Sequence, residues 1–283
     1  MNAKEISTFI GRRPWLRRIG FGLIFITTLR EWYIARALRR LLAVDTGIRS
    51  ALDAGSGMGQ HSYALARRRP QGRITAIEQD GAQSADLADF FQRCGMAQVE
   101  VRTGDITRTN LGTPVDLILC CSVLEHIEDD LGLLRRFHGH LRDAGSLMIY
   151  VPLAERRVFK SLERRITAMT RAAGDQLPHG HVRYYTPELL EARLGQCGFA
   201  VYHRELTYGP SGRLAYDIVT RLQFSRLFLP LFPLYLLLVH PLVLVLMAID
   251  FWGTNREGNG FLVVAHKSPV HSILSEQDAA AYN

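Results

Sequence analysis

From residue 48 onward, short β-rich apolar runs alternate with longer stretches whose apolar residues recur at helical spacing. Ile48–Ala54 predicts a strand running into glycines, and Met58–Arg69 a helix. Arg73–Ile77 predicts the second strand and Gly81–Cys94 the second helix, followed by a short strand at Val99–Thr103. Val115–Cys120 is apolar except for Asp116, as expected of a strand covered on both faces. Asp129–Leu141 predicts a helix and Ser146–Val151 a strand. Thr186 caps a further helix with Pro187 at its first position, Gly198 ends it, and strands follow at Phe199–Leu206 and Gly260–His266. Such alternation predicts an α/β fold: a mainly parallel, doubly wound sheet with helices on both faces.

Leu227–Ile249 breaks this order. It carries no charged residue and lies between the last two strands. Its length would suit one bilayer crossing, but Pro230, Pro233 and Pro241 interrupt it. The strands on either side should share one sheet, so both ends must stay on one side of a membrane. Divided near His240-Pro241, each half is about 18 Å of helix, too short for a core of about 30 Å. A re-entrant or interfacial helical hairpin meets both constraints. Arg213, Arg221 and Arg226 before it and Trp252 and Arg256 after it predict headgroup anchors.

Charge strengthens the membrane reading. The net charge is +7, and residues 1–40 hold nine basic and two acidic side chains, so that segment carries the whole surplus. Within Trp15–Leu42 the arginines alternate with Trp15, Leu16, Ile19, Phe21, Leu23, Ile24 and Phe25, the pattern of a basic interfacial helix attracted to anionic lipid. The run Ile19–Leu29 is too short to span a bilayer, and no small-residue cleavage site follows it. Cys94, Cys120, Cys121 and Cys197 show no metal-ligand spacing; Cys120 and Cys121 sit in an apolar run as core thiols, and the usage fits a reduced, cytosolic compartment.

Candidate chemistry gathers at the predicted strand ends. The run from Ala51 through Asp53, Gly55, Gly57 and Gly59 joins a strand to a helix, so exposed N–H groups can meet a ligand's carboxylate or phosphate. Gln60 stands where a dinucleotide GxGxxG loop would have its third glycine, which disfavours a nicotinamide oxidoreductase. Asp53 before the loop would repel a pyrophosphate and suits a ligand with an amino group. Glu78 ends the second strand, where a carboxylate can hold ribose hydroxyls. Gly104-Asp105-Ile106 ends the third, and Ser122-Val123-Leu124-Glu125-His126 the fourth.

Taken in order, Ala51–Gly59, Ile77-Glu78, Gly104-Asp105, Asp116–Asp130 and His181–Glu188 resemble the motifs of class I S-adenosylmethionine-dependent methyltransferases. The likeness is nearest to the small-molecule branch holding ubiquinone-biosynthesis enzymes and the type 11 group. The resemblance implies a Rossmann-like seven-stranded sheet with its last strand antiparallel. It also implies that S-adenosylmethionine is the cofactor. Gly55, Gly57 and Gly59 would cradle its methionine part and Asp53 would serve its amino group. Glu78 would hold the ribose, and Asp105 with Ile106 the adenine; Ser122 would border the cofactor. Some quinone O-methyltransferases of similar sequence bind a divalent metal in the fourth-strand loop through two acids and a histidine. Glu125 and His126 match that set, but Ser122 replaces the second acid, so no metal is expected.

An oxygen or carbon acceptor must lose a proton, and histidine is the usual base near neutral pH. His126 is the first catalytic candidate and His181 the second, ahead of His179, Arg183, Tyr184 and Tyr185. A structural histidine beside the cofactor is the alternative for His126, and packing for the tyrosines. The expected organisation is basic amphipathic membrane-interacting helices over residues 1–47, a methyltransferase domain over 48–266 with an apolar helical insert at 213–252, and a polar tail over 267–283. The expected function is methyl transfer to a hydrophobic small-molecule or lipid-like acceptor on the cytoplasmic face of a membrane bearing anionic lipid. A non-catalytic S-adenosylmethionine-binding protein of the same fold is the alternative. No nucleic-acid partner is expected, since no Asn/Asp-Pro-Pro-Tyr type motif for a flipped base is present.

Overall fold

In a computed structural model the described residues are 13–154, 157–159, 161, 166, 168–169, 180–223 and 228–268. Two helices come first, α1 (Pro14–Thr27) and α2 (Leu29–Val44). The alternating body follows: β1 (Ser50–Ala54), α3 (Gln60–Arg68), β2 (Arg73–Glu78), α4 (Gly81–Arg93), β3 (Val99–Thr103), β4 (Val115–Cys121), α5 (Asp130–His140) and β5 (Leu141–Pro152). Then come α6 (Pro187–Gln196), β6 (Phe199–Thr207), α7 (Pro210–Gln223), α8 (Phe228–Leu238), α9 (His240–Trp252) and β7 (Gly260–Lys267). The seven strands form one sheet in the order β3-β2-β1-β4-β5-β7-β6. Strands β1 to β5 pair in parallel, while β7 lies antiparallel between β5 and β6, as the resemblance implied.

Register explains why β4 reads as an almost continuous apolar run. Ala51 pairs with Leu117 and Leu52 with Ile118, so neighbouring residues point in matched fashion to opposite faces. Ala51, Leu117 and Leu119 enter a core closed by α2, α3, α4, α7 and α9. Leu52, Ile118 and Cys120 enter a second core closed by α5 and α6. Strand order reverses between β1 and β4, which opens a crevice at their carboxyl ends.

The N-terminal helices pack on the sheet. Leu29, Tyr33, Ile34, Ala37, Leu38, Leu41 and Leu42 of α2 are buried in the core that also holds the sheet, so no domain boundary falls at residues 47/48. Periodicity could not separate a lipid-facing helix from a core-facing one. Three of the nine basic residues turn inward. Arg17, 4% exposed, binds the Asp86 carboxylate at 2.7 Å and the Met58 carbonyl at 2.9 Å. Arg36 lies 3.9 Å from the Phe251 ring centroid. Arg30 enters the site described below. Arg13, Arg18, Arg39 and Arg40 are exposed, and Lys4 and Arg12 lie outside the described residues.

The apolar insert is a bent helical pair, as its prolines predict. The axes of Phe232–Leu238 and His240–Trp252 differ by 56°, and among the described residues no single helix is long and apolar enough to cross a membrane. Pro241 occupies the first turn of α9, where its missing N–H costs nothing. One face of α9 belongs to the protein core. His240, Val243, Met247 and Asp250 are buried at helical spacing. His240 hydrogen-bonds with the Tyr235 hydroxyl at 3.0 Å and the Ile26 carbonyl at 3.1 Å, tying the hairpin to α1. Asp250 accepts from the Tyr33 hydroxyl at 2.6 Å and the Gly212 N–H at 3.0 Å, tying α9 to α2 and α7. The opposite face is open: Leu237, Leu238, Leu242, Val245, Ile249 and Trp252 are each more than half exposed.

Candidate active site at the carboxyl edge of the sheet

The loop from β1 to α3 turns through left-handed backbone at Gly55 (φ 71°), Gly57 (φ 52°) and Gly59 (φ 82°). At Gly55 and Gly59 the surroundings also forbid a side chain, because a Cβ would come within 2.4 Å of Val123 and 2.3 Å of Leu87. At Gly57 a Cβ would meet no atom within 4 Å, so the loop tip faces open space. Glu78 holds that tip in place: its Oε2 accepts from the Gly57 N–H at 2.8 Å, and its Oε1 from the Asp80 N–H at 3.1 Å. Asp53 lies beneath the loop, 1% exposed, with one oxygen accepting from the Ser62 hydroxyl at 2.6 Å. Burial raises its pKa, against the opposing pull of His61 and Ser62. Asp105 caps its own turn by accepting from the Thr107 N–H at 2.8 Å and hydroxyl at 2.7 Å, which lowers its pKa; Ile106 is buried beside it.

Ser122 ends β4 in the left-handed region (φ 57°), and its N–H donates to the Tyr150 carbonyl at 2.9 Å. Tyr208, at the end of β6, has φ 56°. Of three non-glycine residues with positive φ among the described residues, two therefore sit at this edge, where strained backbone commonly accompanies function. Arg30 joins them. Its Nη1 donates to the Ser122 hydroxyl at 3.0 Å, and its backbone N–H to the Tyr208 hydroxyl at 3.0 Å. The next residue, Glu31, accepts from Arg30 and meets His61 Nε2 at 2.9 Å. Burial opposes the Glu31 charge, but His61 and Arg30 overcome it and hold the carboxyl at about 2. The start of α2 is thus clamped to the first turn of α3, just past the glycine loop, and to the end of β4. Sequence reasoning missed Arg30, Tyr150 and Tyr208, because nothing local distinguishes an arginine that reaches a distant strand end from a surface one.

The two catalytic candidates do meet. The Val182 N–H donates to the Glu125 carbonyl at 2.8 Å, docking the 180–185 segment on the 3-10 turn Leu124–His126. The His126 and His181 ring centroids are then 5.0 Å apart, edge to face. His126 Nδ1 lies 3.3 Å from the Gly180 carbonyl. Arg183 and Tyr185 do not line the pocket. They bind the buried Asp130 carboxylate, at 2.7 Å and 2.5 Å, together with Arg193, and so pin the segment in place. Tyr184 stacks edge-on against His181 at 5.9 Å, and His179 lies outside the described residues.

Arg30, Ser122, Glu125, His126, Tyr150, His181, Tyr208 and Tyr216 line a cavity of about 290 Å³. Glu125 is 1% exposed, and its Oε2 has no hydrogen-bond partner among the described residues. Burial pushes its carboxyl up to about 7. One donor atom from each of Glu125, His126 and His181 lies within 4.8 Å of the others, an arrangement that a divalent cation could use. The third donor is His181, not Ser122, whose hydroxyl is engaged by a cation already, Arg30.

This sheet, with its glycine loop and acidic strand ends, is the class I methyltransferase architecture. Residues 27–204 match the Methyltransferase domain family, and the chain belongs to it. Over 120 residues the chain is 32% identical to trans-aconitate 2-methyltransferase from Azoarcus sp. (strain BH72), covering 41% of this chain and 45% of that protein. The chain thus spans less than half the length of that relative. Coclaurine N-methyltransferase bound to N-methylheliamine and SAH shares the fold, with a TM-score of 0.56, 18% identity, and coverage of 83% of this chain and 72% of that one. So does the cyclase SpnF, with a TM-score of 0.56, 20% identity, and coverage of 83% and 80%. S-adenosylmethionine is the cofactor of the family, and the site fits it. Open space lies at the Gly57 tip, and carboxylates stand at the ends of β2 and β3.

Proposed function

We propose that this chain transfers the methyl group of S-adenosylmethionine to a hydrophobic small-molecule or lipid-like acceptor while held on the cytoplasmic face of a membrane. The bound cofactor would supply an electrophilic methyl on sulfur, and the protein aligns the acceptor in line with it and excludes water. The Gly55–Gly59 loop would hold the methionine part, Glu78 the ribose, and Asp105 with Ile106 the adenine; Ser122 borders the cofactor. His126 takes the acceptor's proton, with His181 against its ring and the Glu125 carboxylate in the same cavity. The observation that carries the membrane reading is the open face of α8 and α9. Six large apolar side chains there are exposed beside a core that already buries the inner face of α9.

The test removes that face and leaves the core untouched. Leu237, Leu238, Leu242, Val245 and Ile249 are replaced together by glutamine, and the protein is mixed with liposomes of anionic and zwitterionic lipid. Each lost side chain forfeits about 1.5–3 kcal/mol of burial in lipid. The wild type should float with the liposomes even in high salt, which screens only the contribution of Arg13, Arg18, Arg39 and Arg40. The variant should remain in the aqueous fraction and bind S-adenosylmethionine as the wild type does. Flotation of the variant at wild-type level would reject this face as the membrane contact.

A further inference from the structure

Beside the transfer cavity lies a second, smaller one of about 90 Å³ between the α1–α2 junction, α7 and α9. The two share Thr28, Tyr208 and Tyr216 in their linings, so they adjoin there. Their chemistry differs sharply. The transfer cavity carries Arg30, Glu125 and two histidines. No charged side chain among the described residues lines the smaller one, whose walls include Leu29, Val219, Val243 and Met247. Of its hydroxyl-bearing residues, Thr27 donates to the Leu23 carbonyl and Thr220 to the Tyr216 carbonyl, each at 2.7 Å, and the Tyr208 hydroxyl accepts from the Arg30 N–H. An apolar chain restores the contacts that an empty void forfeits.

We infer that the smaller cavity is a channel for the aliphatic tail of the methyl acceptor, whose polar head lies in the transfer cavity. The acceptor is therefore an amphiphile: a head with a methylatable atom next to His126, joined directly to an alkyl or isoprenoid chain. The channel holds only the carbons nearest the head. This deepens the proposed function and rests on it. Helix α9 connects the two, since its inner residues Val243 and Met247 line the channel while its outer residues Leu242, Val245 and Ile249 form the open apolar face. One helix thus serves both the tail and the lipid in which the tail is dissolved.

The test uses a long-chain alcohol with a diazirine a few carbons from its hydroxyl, added to liposomes carrying the full-length protein and S-adenosylhomocysteine. After illumination, adducts are mapped by peptide mass. The channel predicts adducts on Val219, Val243 or Met247, cut at least tenfold in Val219→Phe, with labelling of Leu242 and Val245 unchanged. Ala215→Leu narrows the same space from a neighbouring turn of α7 and serves if Val219→Phe does not fold. Adducts confined to the outer face would overturn the channel and leave membrane attachment standing. Inner-face adducts undiminished in the folded variants would also overturn it. Failure of the wild type to float would overturn the membrane reading instead, which the flotation arm detects separately.

Discussion

Alanine at position 126 should lower the rate of methyl transfer by about 10²–10⁴, while affinity for S-adenosylmethionine stays near that of the wild type. His126 stands at the end of β4, its ring against His181 and its edge in the transfer cavity, whereas the cofactor loop is built by β1, β2 and their turns. Loss of a proton acceptor therefore acts on the acceptor and leaves the cradle intact. Turnover and cofactor binding must be measured on the same preparation. If cofactor affinity collapses with the rate, His126 is a structural residue beside the cofactor. If neither changes, His181 takes over as the candidate. Glu125 adds a pH signature. Burial raises its carboxyl to about 7, so it becomes charged only as the pH rises through that value. A carboxylate that supports proton removal then adds to the rise of kcat/KM over the same range, beyond the rise that the His126 base itself requires, and Glu125→Gln should reduce that rise. An unchanged pH profile in Glu125→Gln would remove Glu125 from the mechanism.

Glu78→Ala and Gly57→Val should each weaken S-adenosylmethionine binding by about one to two orders of magnitude in a folded protein. Alanine removes hydrogen bonds to a charged group, worth roughly 1.5–3 kcal/mol. It also frees the Gly57 N–H that Glu78 now holds at 2.8 Å, so the loop tip loses its brace as well. Valine at position 57 would project into the space the loop leaves open, at a backbone φ of 52° that a β-branched residue rarely adopts. Because no protein atom lies within 4 Å of the new Cβ, the fold should survive while the ligand is excluded. Calorimetry on both variants, with circular dichroism as the folding control, decides the matter. Wild-type affinity in folded Glu78→Ala and Gly57→Val would reject the cofactor assignment.

Most of the sheet was legible because burial on two faces leaves a strong mark: β4 is a nearly uninterrupted apolar run, and β1 and β4 each end in a chemically distinctive turn. The carboxylates at 53, 78 and 105 could be found because strand ends at one edge are ordered along the chain. The partners that complete the site could not. Arg30 reaches Ser122 across 92 positions, and Tyr150 and Tyr208 enter from strands whose pairing only the sheet order reveals. The packing of the N-terminal helices on the sheet was hidden for a related reason. Arginine mixed with apolar residues suits a lipid interface, and equally a helix whose arginines span its edges to reach Asp86, Ser122 and Glu205. In the insert, length and prolines predicted the bend, but not that His240 and Asp250 anchor one face of α9 to the core.

The central claim, a methyltransferase that takes its acceptor from lipid, is tested most directly by following the methyl group. Membranes from the cells that make the protein are incubated with the purified chain and S-adenosylmethionine carrying a tritiated methyl, then extracted with organic solvent. The account predicts protein-dependent label in the organic phase, lost in His126→Ala and sharply reduced when the outer face of α8 and α9 is replaced by glutamine. A protein that binds S-adenosylmethionine and the membrane, yet leaves all transferred label in the aqueous phase or transfers none, would contradict it.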